Sequence, residues 1–371
     1  MPSSRHILTL NAGSSSLKYA LFVAEGLACR AAGQIEGLGG GVKDHAAALD
    51  EAIAAIRVRF PEAEIGAVGH RVVHGGLRFA APLRVDAALL LELAALNTLA
   101  PLHQPHNIAG VRAAMRAFPA AAQVACFDTA FHRAHPFVDD AFALPRELYD
   151  EGVRRYGFHG LSYEYVAGRL AEIAPFHAAG RSVICHLGNG ASMCGLRNGL
   201  SVASTMGFSP LDGLPMGTRP GQLDPGVVLY LMQEKGMDAQ AISDLLYRRS
   251  GLKGLSGVSG DMRDLEASDN PHAKQAIDYF VFRIRRETGA MAAVLGGLDA
   301  IVYCGGIGEN AWRIRAAVLE AMEWIGVELD PARNRASATV VSSDRSRVRV
   351  FVIPTNEELM IARHTLELLA A

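Results

Sequence analysis

Three short runs of small residues each follow an apolar stretch and could hold phosphate oxygens. The first, Asn11-Ala12-Gly13-Ser14-Ser15-Ser16-Leu17-Lys18, offers backbone N–H groups, serine hydroxyls and one cation. Small side chains let the backbone approach an anion, and lysine adds charge. The second, His186-Leu187-Gly188-Asn189-Gly190, repeats the arrangement. The third, Gly305-Gly306-Ile307-Gly308-Glu309-Asn310, follows an apolar strand pattern and opens a helix, where free N–H groups favour an anion. Taken singly, each suits a plain tight hairpin equally well. Three in one chain favour a nucleotide cleft.

Cationic and acidic side chains accompany these turns. Arg71 lies in Gly69-His70-Arg71-Val72-Val73-His74-Gly75-Gly76 and Arg219 in Met216-Gly217-Thr218-Arg219-Pro220-Gly221. An arginine among glycines is no helix-face solubiliser, and its fork suits a carboxylate or a phosphoryl group. An inter-loop ion pair is the alternative. His159, in Tyr156-Gly157-Phe158-His159-Gly160, could donate to an anion. His103 and His106 flank Pro105, and His132 and His135 are three apart, but no C-x-x-C or accompanying glutamate completes a zinc set. Asp128 follows the strand-like QVACF, and Glu357-Glu358 follows VRVFVI. The glutamates could simply complement a helix dipole. A site for ATP also needs Mg²⁺, for which Glu and Asn oxygens are fitting ligands. The Walker A, G-x-G-x-x-G, H-E-x-x-H and G-x-S-x-G templates are missing.

The elements that must position these groups alternate between strand and helix. Ile7–Val23 reads strand, turn, strand, and Val183–Thr205 has the same order with an added Asn198-Gly199 hairpin signal. Half a chain apart, they suggest two domains that open alike. Helical patterns cover Lys43–Phe60, Asp86–Ala100 with Asp86 as N-cap, Asn107–Ala117, about Gly226–Lys235, His272–Leu295, a stretch from about Asn310, and Glu357–Leu369. Strands are expected at Ile65–Val73, Gln123–Cys126, Ala300–Cys304 and Arg347–Ile353, and flexible loops at Ser209–Gly226 and Gly251–Gly260. The alternation predicts an α/β protein with mixed sheets.

Composition narrows the class. The chain has 371 residues, 50% hydrophobic and 20% charged, with a formal net charge of −2. That excludes wholesale disorder and argues against a nucleic-acid partner. The apolar run at Ile7–Leu10 is too short for a signal-peptide core, and Thr288–Gly308 is interrupted by Asp299, so neither export nor a membrane span is expected. Five cysteines without C-x-x-C read as reduced core thiols in the cytoplasm.

In order along the chain, LNAGSSSLKYALF, GHRVVHGG, LAPLHQPHN, CFDTAFH, YGFHG, HLGNGAS, GFSPLDGLPMGTR, DMRDL, GGIGEN and TNEE resemble the motifs of the acetate/propionate kinase family, within the sugar kinase–actin–Hsp70 superfamily of ATPases. The resemblance implies two related ribonuclease H-like (actin/hexokinase-type) α/β domains with mixed sheets and an interdomain cleft. One would hold 1–127 plus the helix 358–371, and the other 128–357. It implies transfer of the ATP γ-phosphoryl group to acetate, with Mg²⁺ (or Mn²⁺) held by Asn11 and Glu357, and a homodimer. ATP would be contacted by Lys18, by His186, Leu187, Gly188, Asn189 and Gly190, by Asp261, Met262 and Arg263, and by Gly306, Ile307, Gly308, Glu309 and Asn310. Arg71 and Arg219 would hold acetate and the phosphoryl group, with His159 on its transition state, His103 nearby and Asp128 as the catalytic aspartate. Val73, Leu102, Phe158 and Pro210 would line the methyl pocket.

The chemistry agrees with that assignment. Acetate is already a competent nucleophile at neutral pH, so the demand is for neutralisation rather than a strong base. Asp128 is therefore read as an orienter of arginine or of metal-bound water. This chain departs from the family pattern at Pro220 and Gln222 in the arginine loop, at Leu161 where the family has threonine, and at Gln104 where it has asparagine. These departures bear on rate and on acetate against propionate, acids that differ by one methylene worth about 1–3 kcal/mol. An actin- or Hsp70-like ATP switch is the alternative from another class. It would leave Arg71, Arg219, His103 and His159 without a task.

Overall fold

The computed structural model describes residues 5–13, 16–37, 45–100 and 103–371. Among them, strands that are for the most part buried along their length build two mixed sheets. The first holds β1 (His6–Ala12), β2 (Ser16–Val23), β3 (Cys29–Glu36), β4 (Ile65–Val72), β5 (Leu83–Arg84) and β6 (Ala122–Phe127) in the order β3-β2-β1-β4-β6-β5. β1 pairs antiparallel with β2 and parallel with β4, which pairs parallel with β6. The second holds β7 (Arg181–Leu187), β8 (Ala191–Arg197), β9 (Leu200–Ser204), β10 (Ala300–Cys304) and β11 (Arg349–Val352) in the order β11-β10-β7-β8-β9. β7 is antiparallel to β8 and parallel to β10. The paths β3-β2-β1-β4-β6 and β9-β8-β7-β10-β11 are therefore one plan used twice, a three-strand meander followed by two parallel strands. That is the physical content of the likeness between Ile7–Val23 and Val183–Thr205.

Two compact units follow, Met1–Arg133 with Phe158–Tyr165 and Asn356–Ala371, and Ala134–Gly157 with Val166–Thr355. Residues 128–133, 158–165 and 356–357 thus fall with the first unit, whereas the sequence reading put them in the second. The backbone explains it: Asp128 N–H donates to Val72 O at 3.1 Å, and Gly160 N–H donates to Asp128 O at 2.9 Å.

In the first unit both sheet faces are covered, so both strand faces are apolar. Leu8, Leu10, Leu17, Leu21 and Val68 pack under the helix His45–Arg59 with Ile53 and Ile56. Ile7, Ala20, Phe22 and Ala67 pack on the opposite side, with Ala362 of the C-terminal helix Glu357–Ala370. In the second unit the helix Pro271–Leu295 buries Ala273, Ala276, Phe280, Ile284, Met291 and Leu295 at helical spacing. Met291 and Leu295 lie against Gly195 of β8.

Several expectations need correction. Gly251–Gly260 is not a plain loop, because Gly251–Ser256 is a short helix with Leu252 and Ser256 buried. Its amides are used, with Leu252 N–H donating to Met216 O at 2.8 Å and Lys253 N–H to Gly217 O at 2.9 Å. The helix capped by Asp86 stops at Ala95 and continues as a tighter turn over Leu96–Thr98. The next helix starts at Gln104, with Pro105 in its first turn, where a missing N–H costs nothing. Cys29 is exposed on β3, while the other four cysteines are buried, and none is disulfide-bonded. No helix among the described residues is long and apolar enough to cross a membrane.

Candidate active site

In the first unit the parallel strands β1, β4 and β6 end at one edge of the sheet and deliver their last side chains together. Crevices beyond strand carboxyl ends are where α/β sheets place ligands. Arg71 near the end of β4 donates to Asp128 Oδ2, from Nε at 2.9 Å and from Nη2 at 2.5 Å, and its Nη1 donates to Asn11 Oδ1 at 3.1 Å. Asn11 at the end of β1 donates in turn to Glu357 Oε2 at 2.8 Å and to Glu358 Oε1 at 3.2 Å. Asn356 caps the C-terminal helix by accepting from Leu359 N–H, which puts both glutamates in its first turn, where the dipole favours them. Five residues from four segments therefore form one hydrogen-bonded network.

Its electrostatics are set by burial. The Asp128 and Arg71 side chains are 1% and 14% exposed. Burial alone would lower the Arg71 pKa, but the Asp128, Glu357 and Glu358 carboxylates outweigh it and keep the guanidinium protonated. Burial pushes the Asp128 carboxyl up, Arg71 pulls it down, and Glu357 adds to the upward push. We take the pair as ionised, since a guanidinium held at 2.5 Å does not surrender its proton. Arginine carries five N–H donors, and the network uses three of those on Arg71. Asp128 Oδ1 is buried with no hydrogen-bond partner among the described residues.

The surroundings fix these groups further. Val73 and Phe158 are buried, Phe158 with its ring edge-on to His74. His159 is half-buried and holds a left-handed backbone at φ 60°, a region histidine tolerates better than most residues. Gly160 follows it because a Cβ there would sit 2.1 Å from Asp128 O. Lys18 is exposed on β2 directly opposite Asn11. His103 is the residue that enters the helix Gln104–Ala117. Leu102, Ser14 and Ser15 lie outside the described residues.

The second unit gathers most of the remaining candidates at the corresponding edge of its own sheet. β7 ends in His186 and Leu187, and the turn after it closes through Gly188 N–H to Gly190 O at 3.0 Å. Gly217 N–H donates to Asn189 O at 3.1 Å, which ties that turn to the arginine loop. Arg219 Nη1 donates to Pro210 O at 2.9 Å, bringing those two candidates together. Gly251, at φ 64°, lets its helix press on this loop, since a Cβ would sit 2.1 Å from Met216 O. Half-buried Asp261 and exposed Arg263 are ion-paired with each other, and Met262 between them is buried. The adjacent strand β10 runs into the short helix Gly305–Asn310. There Glu309 accepts from Gly305 N–H at 2.8 Å and Thr355 N–H at 3.2 Å, so its carboxylate shapes the turn. Gln222 accepts from Arg283 Nη2 at 2.9 Å and also from Arg286, so this departure anchors its loop to the long helix. Leu161, in the first unit, packs with Val124, Cys126, Met360 and Ile361.

Sequence reasoning missed two buried amides. Asn107 Oδ1 accepts from Val73 N–H at 3.0 Å while its Nδ2 donates to Ala12 O at 2.9 Å. Gln104 accepts from His74 N–H and donates back to His74 O, both at 3.1 Å. The available signal was helical spacing: Gln104, Asn107, Val111 and Ala114 share one buried stripe, and two of them are polar.

A sequence model of the acetokinase family matches residues 6–363. The acetate kinase of Methylocella silvestris is 62% identical over 99% of this chain and 98% of its own length. That of Rhizobium meliloti is 53% identical over 98% of each. The crystal structure of Porphyromonas gingivalis acetate kinase superposes with a TM-score of 0.88 at 37% identity, covering 98% of this chain and 100% of that one. A propionate kinase from Francisella tularensis gives 0.91 at 35% identity, covering 98% and 99%.

Proposed function

The chain belongs to the acetokinase family, and we propose that it transfers the γ-phosphoryl group of ATP reversibly to acetate by direct in-line displacement, giving acetyl phosphate and ADP. The observation that carries the reading is the buried Arg71–Asp128 pair, joined through Asn11 to Glu357 and Glu358. A carboxylate must approach a polyanionic phosphate, and the barrier is largely electrostatic. Arg71, with N–H donors to spare, binds the acceptor carboxylate or a phosphoryl oxygen. Asp128 holds the fork in place, and its commitment to Arg71 suits an orienter better than a proton acceptor.

In this reading Arg219 clamps the phosphoryl group, His159 donates to its equatorial oxygens, and His103 stands near the acceptor. Val73, Phe158, Pro210 and Leu102 receive the methyl group. The turns His186–Gly190, Asp261–Arg263 and Gly306–Asn310, together with Lys18, handle the nucleotide. Asn11 and Glu357 would hold Mg²⁺, or Mn²⁺, because the donor set is hard oxygen and Asp128 Oδ1 beside it lacks a partner among the described residues. When bound, the ion neutralises phosphate charge. Among the described residues no three His, Cys, Asp or Glu side chains gather as ligands, so phosphate oxygens and water would complete the shell.

A homodimer is part of the proposal. The helix Pro225–Gln233 buries none of its residues, and Val227, Leu229, Tyr230 and Met232 are 40–55% exposed. Such exposed apolar surface around one helix suits a second copy, and Leu229→Glu should convert dimer to monomer in sedimentation velocity. Cytoplasmic residence is supported by the free cysteines.

Hydroxamate trapping of acyl phosphate with Mg-ATP, run on acetate, propionate and butyrate, tests the reading. Product from acetate above the other acids is expected, and a larger yield from propionate would favour the propionate kinase alternative. No product from any acid would refute both. ATP turnover indifferent to acids would instead favour a conformational switch.

A further inference from the structure

We propose that Asn107 is a positioning residue that fixes the separation between Asn11 and Arg71, acting on the main chain one residue past Asn11 and two past Arg71. The inference rests on the acyl kinase reading above. β1 and β4 are hydrogen-bonded neighbours only as far as Leu10 and His70. Asn11 and Arg71 both lie just past that last rung, where the ladder no longer holds the strands in register. Asn107 supplies the missing rung from the helix Gln104–Ala117, by donating to Ala12 O and accepting from Val73 N–H. Its amide has one donor side and one acceptor side, which is what a bridge between a carbonyl and an N–H requires. The side chain is 2% exposed, so water cannot replace it.

The bridge is one of a set. After β4 the next amides are held by side chains: His74 N–H by Gln104 Oε1 at 3.1 Å and Gly75 N–H by Thr129 Oγ1 at 3.0 Å. Only the Asn107 bond also reaches the other strand. The side-chain bond from Arg71 Nη1 to Asn11 Oδ1, at 3.1 Å, closes a ring of contacts with it. Without the main-chain rung, that exchangeable side-chain contact would carry more of the spacing of two groups that must engage different parts of the substrates. A displacement near 1 Å in such a site is worth about 10²-fold in rate.

Asn107→Asp keeps the acceptor for Val73 N–H but turns a carboxylate oxygen toward Ala12 O, and Asn107→Ala removes both bonds. Val111→Ala, a core truncation on the same helix that packs in the cluster with Val72 and Phe127 but takes away neither Asn107 hydrogen bond, serves as the matched loss of stability. Steady-state kinetics on each full-length variant, with varied acetate, ATP and total Mg²⁺, should show kcat down about 10–100-fold for both Asn107 variants. KM for acetate and the half-saturating Mg²⁺ should rise at least threefold, while KM for ATP stays within twofold. Hydrogen exchange by mass spectrometry should show faster exchange in peptides covering Val72–Gly76 and Leu10–Gly13 for Asn107→Ala, a readout independent of activity. Val111→Ala should lower the denaturation midpoint with KM and Mg²⁺ dependence unchanged.

The proposal is overturned if the Asn107 variants behave as Val111→Ala does, or if exchange at the two strand ends is unaltered. Wild-type enzyme that forms no acyl phosphate would overturn the underlying reading as well. Activity in wild type with flat Asn107 variants removes this inference alone.

Discussion

Replacing Asp128 with asparagine separates the two roles open to that residue, orienting Arg71 or accepting a proton. The substitution keeps the volume and deletes the charge. Oδ2 of Asp128 receives two Arg71 bonds, at 2.9 and 2.5 Å, in surroundings that leave the carboxylate 1% exposed. Deleting one partner of a buried ion pair costs about 3–5 kcal/mol, and Asp128→Ala should lose that amount in chemical denaturation. An asparagine oxygen still accepts both bonds, so only the charge assistance goes, on the order of 1–2 kcal/mol. If the looser fork is felt equally in the transition state, kcat/KM for acetate falls about 5–30-fold in Asp128→Asn. The assay is acyl phosphate trapping between pH 5.5 and 9. An orienter scales the whole profile down without changing its shape, because acetate is ionised throughout that range and no base is needed. Should Asp128→Asn instead abolish a limb on which the wild-type rate rises with pH, Asp128 is the proton acceptor and the argument from its bonding to Arg71 is wrong.

Other residues make independent predictions. His70 is buried against Gln123, and burial lowers its pKa to about 4 although that hydrogen bond opposes the shift. The unfolded chain then takes up a proton near pH 6.5 that the folded chain refuses, so the His70 contribution is intact above that pH and lost as pH falls toward 4. Between pH 7.5 and 5 wild type should lose about 2 kcal/mol more stability than His70→Asn; equal losses in urea titrations would contradict the linkage. Gly160→Ala should cut activity and stability together, the latter by about 1–3 kcal/mol, because its Cβ would meet Asp128 O. Gly168→Ala, exposed in the helix Gly160–Ile173 that Gly160 opens and with open space around it, should be neutral or stabilising by up to about 1 kcal/mol, which thermal melts would show. Leu161→Thr, which restores the family's residue, should cost about 1–3 kcal/mol and leave the acetate-to-propionate ratio unchanged. A changed ratio would place residue 161 in the acyl pocket after all.

How far the site could be read from sequence depends on whether each residue's task leaves a local trace. Ile7–Val23 and Val183–Thr205 announced themselves because a meander needs alternation and tight turns, and both are short-range patterns. Arg71 stood out because glycines around an arginine rule out a helix face. The closure of the network left no such trace: Asn11 and Glu357 are 346 positions apart, and only the folded sheet edge makes them neighbours. Gly251–Gly260 misled for a related reason. Its glycines look like freedom, yet Gly251 is there so that a helix can press against the arginine loop. The departures in doubt fit the same logic. Leu161 points into a core and Gln222 binds two arginines of a neighbouring helix, so both hold backbone in place. A supporting position accepts any side chain that restores the packing or the hydrogen bond. A position facing the reacting groups must keep its charge, the demand that the proposed function places on Arg71, Asp128 and Glu357. Sequence departures at Leu161 and Gln222 therefore argue for repacking around an unchanged reaction, and in the proposed function the choice between acetate and propionate would fall to Val73, Phe158 and their neighbours.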